Sequence, residues 1–137
     1  MYFMSYDFKR FESTGGRYEM RISLTGSRSF GFPTMFYEEN KIAKYKYVVL
    51  YYDEKQKAVG IKFTADKEEP HKFTLIKSKK YGASIVATSF FKKYKLDPKK
   101  YKRKYNWKKV RTDFGILFVI ELNEGQKSPA SENQSAI

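Results

Sequence analysis

The stretch from Lys44 to Thr64, KYKYVVLYYDEKQKAVGIKFT, constrains the fold of this chain more than any other. Its two arms, residues 45–52 and 58–64, are rich in β-branched and aromatic residues and flank the polar tip DEKQK. Two runs of this composition joined by a short polar segment are typical of a β-hairpin. A chain of 137 residues that is 41% hydrophobic is also expected to fold as one packed domain.

Shorter patterns predict further strands on both sides of the hairpin. YEMRISLT alternates polar and apolar residues, and KFTLIKS and GILFVIEL have strand-like compositions. GSRSFG and KKYGAS are rich in turn-forming residues and are expected to be turns. The polar, serine-rich residues 123–137 predict a disordered tail, which leaves 1–122 as the globular domain.

Three segments predict short helices. PTMFYEENKI has helical spacing, with Thr34 as the expected N-cap, and ASIVATSFFKKYKL is expected to pass from a strand into a helix. Asp97 followed by Pro98 provides an N-cap and a proline at the first helical position, so residues 97–105 are expected to be helical. The predicted fold is therefore α+β, with a small, mostly antiparallel sheet or barrel and two or three short helices.

A shift of 54 positions places residues 32–42, FPTMFYEENKI, on residues 86–96, VATSFFKKYKL. The matched residues are Thr34 and Thr88, Phe36 and Phe90, Tyr37 and Phe91, Lys41 and Lys95, and Ile42 and Leu96. One interpretation is an internal duplication with half-repeats 18–64 and 72–122, in which each half covers the apolar face of the other. The alternative is chance similarity between two short amphipathic helices.

A strand, a capped helix such as PTMFYEENKI or ATSFFKKYKL, and a following hairpin resemble the half-barrel of the AbrB/MazE/MraZ superfamily. The resemblance covers about residues 18–122 and implies a swapped-hairpin barrel, as a monomer with pseudo-twofold halves or as a homodimer. It also implies a DNA-binding transcription regulator or antitoxin. The Gly-Asp turn usual after the family's helix is replaced by AKYK (43–46) and DPKK (97–100), so no family contact residue is carried over.

The net charge of +13 is concentrated in one segment. Residues 72–111 contain fifteen Lys or Arg and one acid, Asp97, whereas the rest of the chain contains thirteen basic and fourteen acidic residues. Such asymmetry indicates contact with a polyanion, and nucleic acid is the leading candidate. A solvated basic face is the alternative.

Few residues suggest catalysis or metal binding. The chain has no cysteine, and its one histidine, His71, is expected to be an ordinary loop residue. The acids at 38–39, 53–54 and 66–69 are spread over separate segments, and no glycine-rich stretch has the spacing of a phosphate-binding loop. We therefore expect a non-enzymatic protein without metal or cofactor.

The basic segment also contains aromatic residues, which either stack on bases or pack the segment onto the core. Lysine outnumbers arginine there, which favours contact with the phosphate backbone over base-specific recognition. The predicted nucleic-acid-binding residues are Lys77, Lys79, Lys80, Lys92, Lys93, Lys95, Lys99, Lys100, Tyr101, Lys102, Arg103, Lys104, Tyr105, Trp107, Lys108, Lys109 and Arg111.

The sequence thus predicts a nucleic-acid-binding protein, either a DNA-binding transcription regulator or a binder of RNA. A protein-interaction module that inhibits a nucleic-acid-handling protein is the alternative, and a metal-dependent nuclease is a weaker one. The absence of a long apolar run and of a secretory signal in MYFMSYDFKR predicts a cytoplasmic protein without membrane contact.

Overall fold

The computed structural model of the chain describes residues 6–10, 19–78 and 80–123. Within them, the strands are β1 (Ile22–Leu24), β2 (Ser29–Phe32), β3 (Tyr47–Asp53), β4 (Ala58–Thr64), β5 (Phe73–Thr74), β6 (Ile76–Ser78), β7 (Gly82–Val86), β8 (Arg103–Tyr105), β9 (Lys108–Thr112) and β10 (Gly115–Glu121). The helices are α1 (Thr34–Glu39), α2 (Thr88–Lys93) and α3 (Pro98–Tyr101), with one turn of 3-10 helix at Ile42–Lys44. The predicted tail lies outside the described residues except for Asn123, and so does Lys79.

The strands form two antiparallel sheets that are joined at both ends. The first sheet has the order β6-β7-β2-β1-β8 and the second has the order β5-β3-β4-β10-β9. Leu75 alone separates β5 from β6, and Asn106 and Trp107 alone separate β8 from β9. Strand pairing therefore passes from one sheet into the other at two places and forms a closed ring.

The pairing scheme is unchanged when the first half of the chain is exchanged for the second. β2 pairs with β7 and β4 pairs with β10, so corresponding strands meet at two places in the ring. The β1–β2 pair corresponds to β6–β7, the β3–β4 hairpin to β9–β10, and the β1–β8 pair to β5–β3. Each half therefore completes a sheet of the other half.

Helices α1 and α2 are each six residues long, begin 54 positions apart and end in the same way. At the end of α2, the Leu96 N–H donates to the Phe91 carbonyl at 2.9 Å and the Lys95 N–H donates to the Lys92 carbonyl at 3.3 Å. This places Lys95 in the left-handed region with φ of 52°, and Lys41 after α1 has φ of 53°. Glycine is the residue most often found at this position because other side chains are strained there.

The core is a single cluster that extends from Ile22 to Leu122. No polar or charged side chain of the described residues is buried in it. Around α1, the rings of Phe36, Trp107 and Phe118 lie in edge-to-face contact with centroids 5.1 Å apart. A second group of aromatic side chains surrounds Phe90 of α2. Each helix is therefore packed onto the strands through its own group of aromatic side chains.

Several of the predicted elements are confirmed. The central hairpin is present as β3 and β4, and the strand-to-helix segment is present as β7 and α2. Asp97 caps α3, since its Oδ1 accepts the Lys99 N–H at 3.0 Å and Pro98 is the first helical residue. In the described part of the chain, no helix is long and apolar enough to cross a bilayer.

Other predictions are wrong in detail. Thr34 is the first helical residue of α1 rather than its N-cap, and its hydroxyl donates to the Lys80 carbonyl at 3.3 Å. The predicted turn GSRSFG contains β2, which is held by strands on both sides. The predicted helix 97–105 stops at Tyr101, because β8 takes residues from Arg103 onward into a pair with β1.

The ungapped match at a shift of 54 positions fits the helices but not the strands. It places Phe32 on Val86, yet Phe32 is buried and Val86 is 54% exposed. Burial instead matches Phe30 with Ile85, which lie opposite each other and are both fully buried. The number of residues that separates matching positions of the two halves therefore differs between the helices and the strands. Matching positions in the strands are found from the strand pairing.

Replacing Lys95 by glycine is expected to stabilise the protein by about 0.5–1 kcal/mol, because glycine adopts a positive φ without steric strain. The free energy of unfolding in urea measures this effect. Lys92→Gly is the matched control, because it removes the same charge inside α2 and is expected to cost about 1 kcal/mol. Equal effects of the two substitutions would contradict the assigned helix end.

Candidate nucleic-acid interface

Six lysines of the second half lie on α2, α3 and the turns that follow these helices. We call them the α2–α3 lysine cluster; its members are Lys92, Lys93, Lys95, Lys99, Lys100 and Lys102. All six are exposed. Lys92 and Lys93 lie in the last turn of α2, where the partial negative charge of the helix end favours cations.

The α2–α3 lysine cluster has no carboxylate partner among the described residues, because the observed ion pairs involve other cations. Asp97 is the one acid within the cluster, and its carboxylate is used by the Lys99 backbone N–H. In the last turn of α1, Glu38 and Glu39 lie 54 positions before Lys92 and Lys93, so α1 and α2 end with residues of opposite charge. The cluster thus presents uncompensated positive charge to solvent.

Two of the predicted aromatic residues belong to the core. Tyr101 and Tyr105 are 3% and 1% exposed, and the Tyr105 hydroxyl donates to the Tyr101 carbonyl at 2.6 Å. Lys57 Nζ lies 3.4 Å from the Tyr101 hydroxyl, so this residue also holds the tip of the β3–β4 hairpin against α3. Neither ring has a face free to stack on a base, and their role is packing.

Trp107 is also a packing residue. Its ring lies edge-to-face with Phe36 and Phe118, and its Nε1–H donates to the Met20 carbonyl at 2.7 Å. The indole is half-buried between α1 and β1. This arrangement ties the second half of the chain to the first and gives Trp107 a packing role.

The basic residues of β8 are engaged within the protein. The Arg103 guanidinium lies 5.7 Å from the centroid of the Tyr105 ring, and its Nη2 donates to the Lys100 carbonyl at 3.3 Å. Lys104 pairs with Glu19 at 3.4 Å. Both cations are therefore less available to an external anion than the α2–α3 lysine cluster.

The basic residues of β9 differ from one another. Lys108 pairs with Glu121 at 3.5 Å, and Lys109 Nζ lies 5.5 Å from the centroid of the Phe118 ring. Arg111 is exposed. Arg111 forms no ion pair or side-chain hydrogen bond with the described residues, so it is the member of this group most open to a phosphate.

The remaining predicted lysines precede β7 in the sequence. Lys77 Nζ donates to the Ala43 carbonyl at 2.8 Å, so its side chain bridges to the first half. Lys80 is exposed and lies over the ring of its neighbour Tyr81 at 5.5 Å. Lys79 lies outside the described residues.

Among the carboxylates of the described residues, Glu19 has the most strongly shifted pKa. Hydrogen bonds from the Arg21 side chain, reinforced by its backbone N–H and by Lys104, lower the pKa of Glu19 from 4.5 to about 2. The other acids mostly organise turns: Asp53 accepts the Lys55 N–H at 3.0 Å and Asp66 accepts the Glu68 N–H at 2.9 Å. No group of three potential metal ligands occurs among the described residues.

A cleft beside α2 contains residues that the sequence did not indicate as functional. Its lining includes His71, Lys72 and Lys93, together with Leu50 of β3 and Tyr94. The histidine was expected to be an ordinary loop residue, and it lies at this rim with a positive φ of 56°. No sequence motif indicates this cleft, because its lining comes from β3, β5 and α2, which are brought together only by the fold.

Comparison with protein-family models, with curated proteins and with solved structures finds no match to this chain.

Replacing Tyr105 by phenylalanine is expected to lower the free energy of unfolding by about 1 kcal/mol, since the buried Tyr101 carbonyl loses a hydrogen bond. Affinity for nucleic acid is expected to stay unchanged, because the hydroxyl lies inside the protein. Urea unfolding and a binding titration on the same sample measure both quantities. A loss of affinity for nucleic acid with an unchanged free energy of unfolding would show that Tyr105 contacts nucleic acid.

Replacing Glu19 by glutamine is expected to weaken the acid sensitivity of the fold. A lowered folded-state pKa means that the stabilisation is present above about pH 4.5 and is lost as the pH falls toward 2. The free energy of unfolding should therefore fall less for the variant than for the wild type over this range. Glu54→Gln, at an exposed hairpin tip, is the control, and an identical change in both variants would contradict the assignment.

Proposed function

We propose that the protein is a non-enzymatic nucleic-acid-binding protein that contacts the phosphate backbone through the α2–α3 lysine cluster. The observation that carries this proposal is the cluster itself: six exposed lysines without a carboxylate partner in the described structure. Neutralising phosphates with such side chains releases condensed counterions, which is the main source of sequence-independent affinity. A DNA-binding regulator of transcription in the cytoplasm is the specific form that the family resemblance suggests.

The burial of the aromatic side chains favours backbone contact over stacking along a strand. Tyr101, Tyr105 and Trp107 are occupied by core contacts, so the cluster consists of lysines alone. Lysine is a flexible point charge and does not form the two-pronged contact by which arginine recognises guanine. The proposed interaction therefore has weak sequence preference.

We further propose that the two halves arose by duplication and form a swapped-hairpin barrel of the AbrB/MazE/MraZ type. The support is the exchange symmetry of strand pairing and the matching ends of α1 and α2. The ring of pairs closes within one chain, which favours a monomer with pseudo-twofold halves over a homodimer.

Replacing both Lys92 and Lys93 by glutamate is expected to weaken binding to a labelled DNA duplex by about tenfold or more. The slope of log K against log salt concentration should become shallower by about two, because two phosphate contacts are lost. Fluorescence anisotropy at several salt concentrations, with duplex and single-stranded DNA and RNA, measures both quantities.

Lys41→Glu with Lys44→Glu is the matched control. These exposed lysines follow α1, and the double substitution changes the net charge by the same amount. Binding should fall only slightly in the control. An equal loss in both variants would show that net charge, rather than the α2–α3 lysine cluster, determines affinity.

The alternative partner is an acidic protein surface. Purification without nuclease separates the two, since bound nucleic acid raises the ultraviolet absorbance ratio and is removed by nuclease. A protein that co-purifies in stoichiometric amount and survives nuclease treatment would favour the interaction module over the proposed function.

A further inference from the structure

An open cleft of about 500 Å³ lies between α2, β3 and β5. Its apolar walls are Leu50, Phe73, Phe90 and Tyr94. Clefts of this size, with apolar walls and a few polar groups, are typical of sites for small ligands. The lining of this cleft includes no acidic residue.

In the other half of the protein, the place that corresponds to this cleft is occupied by the side chain of Trp107. Pairing together with burial matches the Val48–Phe73 pair of β3 and β5 to the Tyr105–Ile22 pair of β8 and β1, because Val48 and Tyr105 are both almost fully buried. Two residues further along, Leu50 corresponds to Trp107. The indole of Trp107 packs against Phe36 of α1, and Phe90 of α2 corresponds to Phe36.

The cleft is thus the space that an indole ring fills beneath the other helix. Where Trp107 has a bicyclic ring, Leu50 has only a short aliphatic side chain, and Phe90 turns toward Tyr52 with a centroid distance of 5.7 Å. The packing of this protein therefore provides a template for the ligand: a flat, bicyclic, aromatic ring.

The template also specifies a hydrogen bond. The Trp107 Nε1–H donates to the Met20 carbonyl at 2.7 Å. In the second half, His71 corresponds to Met20, because His71 lies two residues before Phe73 and Met20 lies two residues before Ile22. His71 also lines the cleft. A ring that carries an N–H donor matches this arrangement better than a purely hydrocarbon ring.

The rim of the cleft is cationic. Lys72 and Lys93 line it, and the latter is a member of the α2–α3 lysine cluster. Lys72 Nζ lies 5.0 Å from the centroid of the Tyr47 ring and Lys93 Nζ lies 5.9 Å from that of Tyr94. Neither is paired with a carboxylate in the described structure, so both are open to a phosphate group.

We propose that this cleft binds a purine nucleotide, with the bicyclic base in the place that Trp107 fills in the other half and the phosphate between Lys72 and Lys93. The base would donate from an amino or ring N–H group to the His71 carbonyl. The nucleotide is either free in solution or an unpaired purine of a single strand, and only the second case rests on the proposed function.

Titration of the full chain with adenosine 5′-monophosphate tests this proposal, followed by two-dimensional NMR of the backbone amides. Saturable shifts are expected at Ser89, Lys93 and His71. Inorganic phosphate and cytidine 5′-monophosphate should each bind about tenfold more weakly, because one lacks the base and the other has a smaller ring. No saturable shift at these residues, or equal affinity for the three probes, would overturn the proposal.

Two variants fill the cleft without changing charge. Leu50→Trp places in the second half the residue that the first half tolerates, and Ser89→Tyr adds a ring at an exposed position of α2. Both are expected to abolish nucleotide binding. Met35→Tyr, at the position of α1 that corresponds to Ser89, is the matched control and should bind like the wild type. Unchanged nucleotide binding by a folded Ser89→Tyr variant would overturn the assignment of the site.

Oligodeoxyadenylate and oligothymidylate distinguish the two sources of the nucleotide. If the ligand is part of a strand, oligodeoxyadenylate should bind more tightly, and Ser89→Tyr should remove this preference without changing the salt dependence. If the ligand is free, mononucleotide binding should persist while the two oligomers bind alike. Salt-dependent nucleic-acid binding without any mononucleotide binding would overturn the cleft proposal alone, whereas the reverse result would overturn the proposed function alone.

Discussion

The antiparallel pairing of corresponding strands, β2 with β7 and β4 with β10, is the constraint on which the structure depends. Neither half forms a complete sheet by itself. In the first sheet the edge strand β8 pairs with β1 of the other half, and in the second sheet the edge strand β5 pairs with β3 of the other half. The two helices can then cover a closed ring from opposite halves, with Phe36 and Phe90 as their buried side chains. Loss of the contact between β2 and β7 would separate the first sheet and expose the aromatic residues beneath both helices.

Two differences between the halves of the chain underlie the proposed activities. The last turn of α1 has Glu38 and Glu39, whereas the last turn of α2 has Lys92 and Lys93, so the basic excess lies in the second half of the chain. The space under α1 is filled by Trp107, whereas Leu50 leaves the space under α2 open. Both proposals therefore concern the second helix, and Lys93 belongs to both surfaces.

The regular parts of the fold were predictable from sequence because their signals are local. Two arms rich in β-branched and aromatic residues around a polar tip predicted the β3–β4 hairpin, and Asp97 before Pro98 predicted the start of α3. The strand β2 and the end of α3 were not predictable in this way. Their conformation is determined by partners distant in sequence, such as β7 for Ser29–Phe32 and β1 for Arg103–Tyr105.

The positive charge of the candidate site was predictable from the sequence, but the positions and contacts of its side chains were not. A count of residues located the basic segment, whereas the burial of Tyr101 and the ion pair of Lys104 depend on long-range packing. The proposed match of Leu50 with Trp107 requires an offset of 57 residues between the halves, whereas α1 and α2 begin 54 residues apart, so one ungapped shift does not reveal it. Only the register of the strands makes this correspondence visible.

The dependence of wild-type affinity for nucleic acid on salt concentration tests the central claim most directly. If the six lysines of the α2–α3 cluster each neutralise one phosphate of a duplex, log K should fall with log salt concentration with a slope of about −5. Affinity should then drop roughly a thousandfold between about 50 and 200 mM salt. A binding constant that does not change over this range would contradict the proposed role of the cluster.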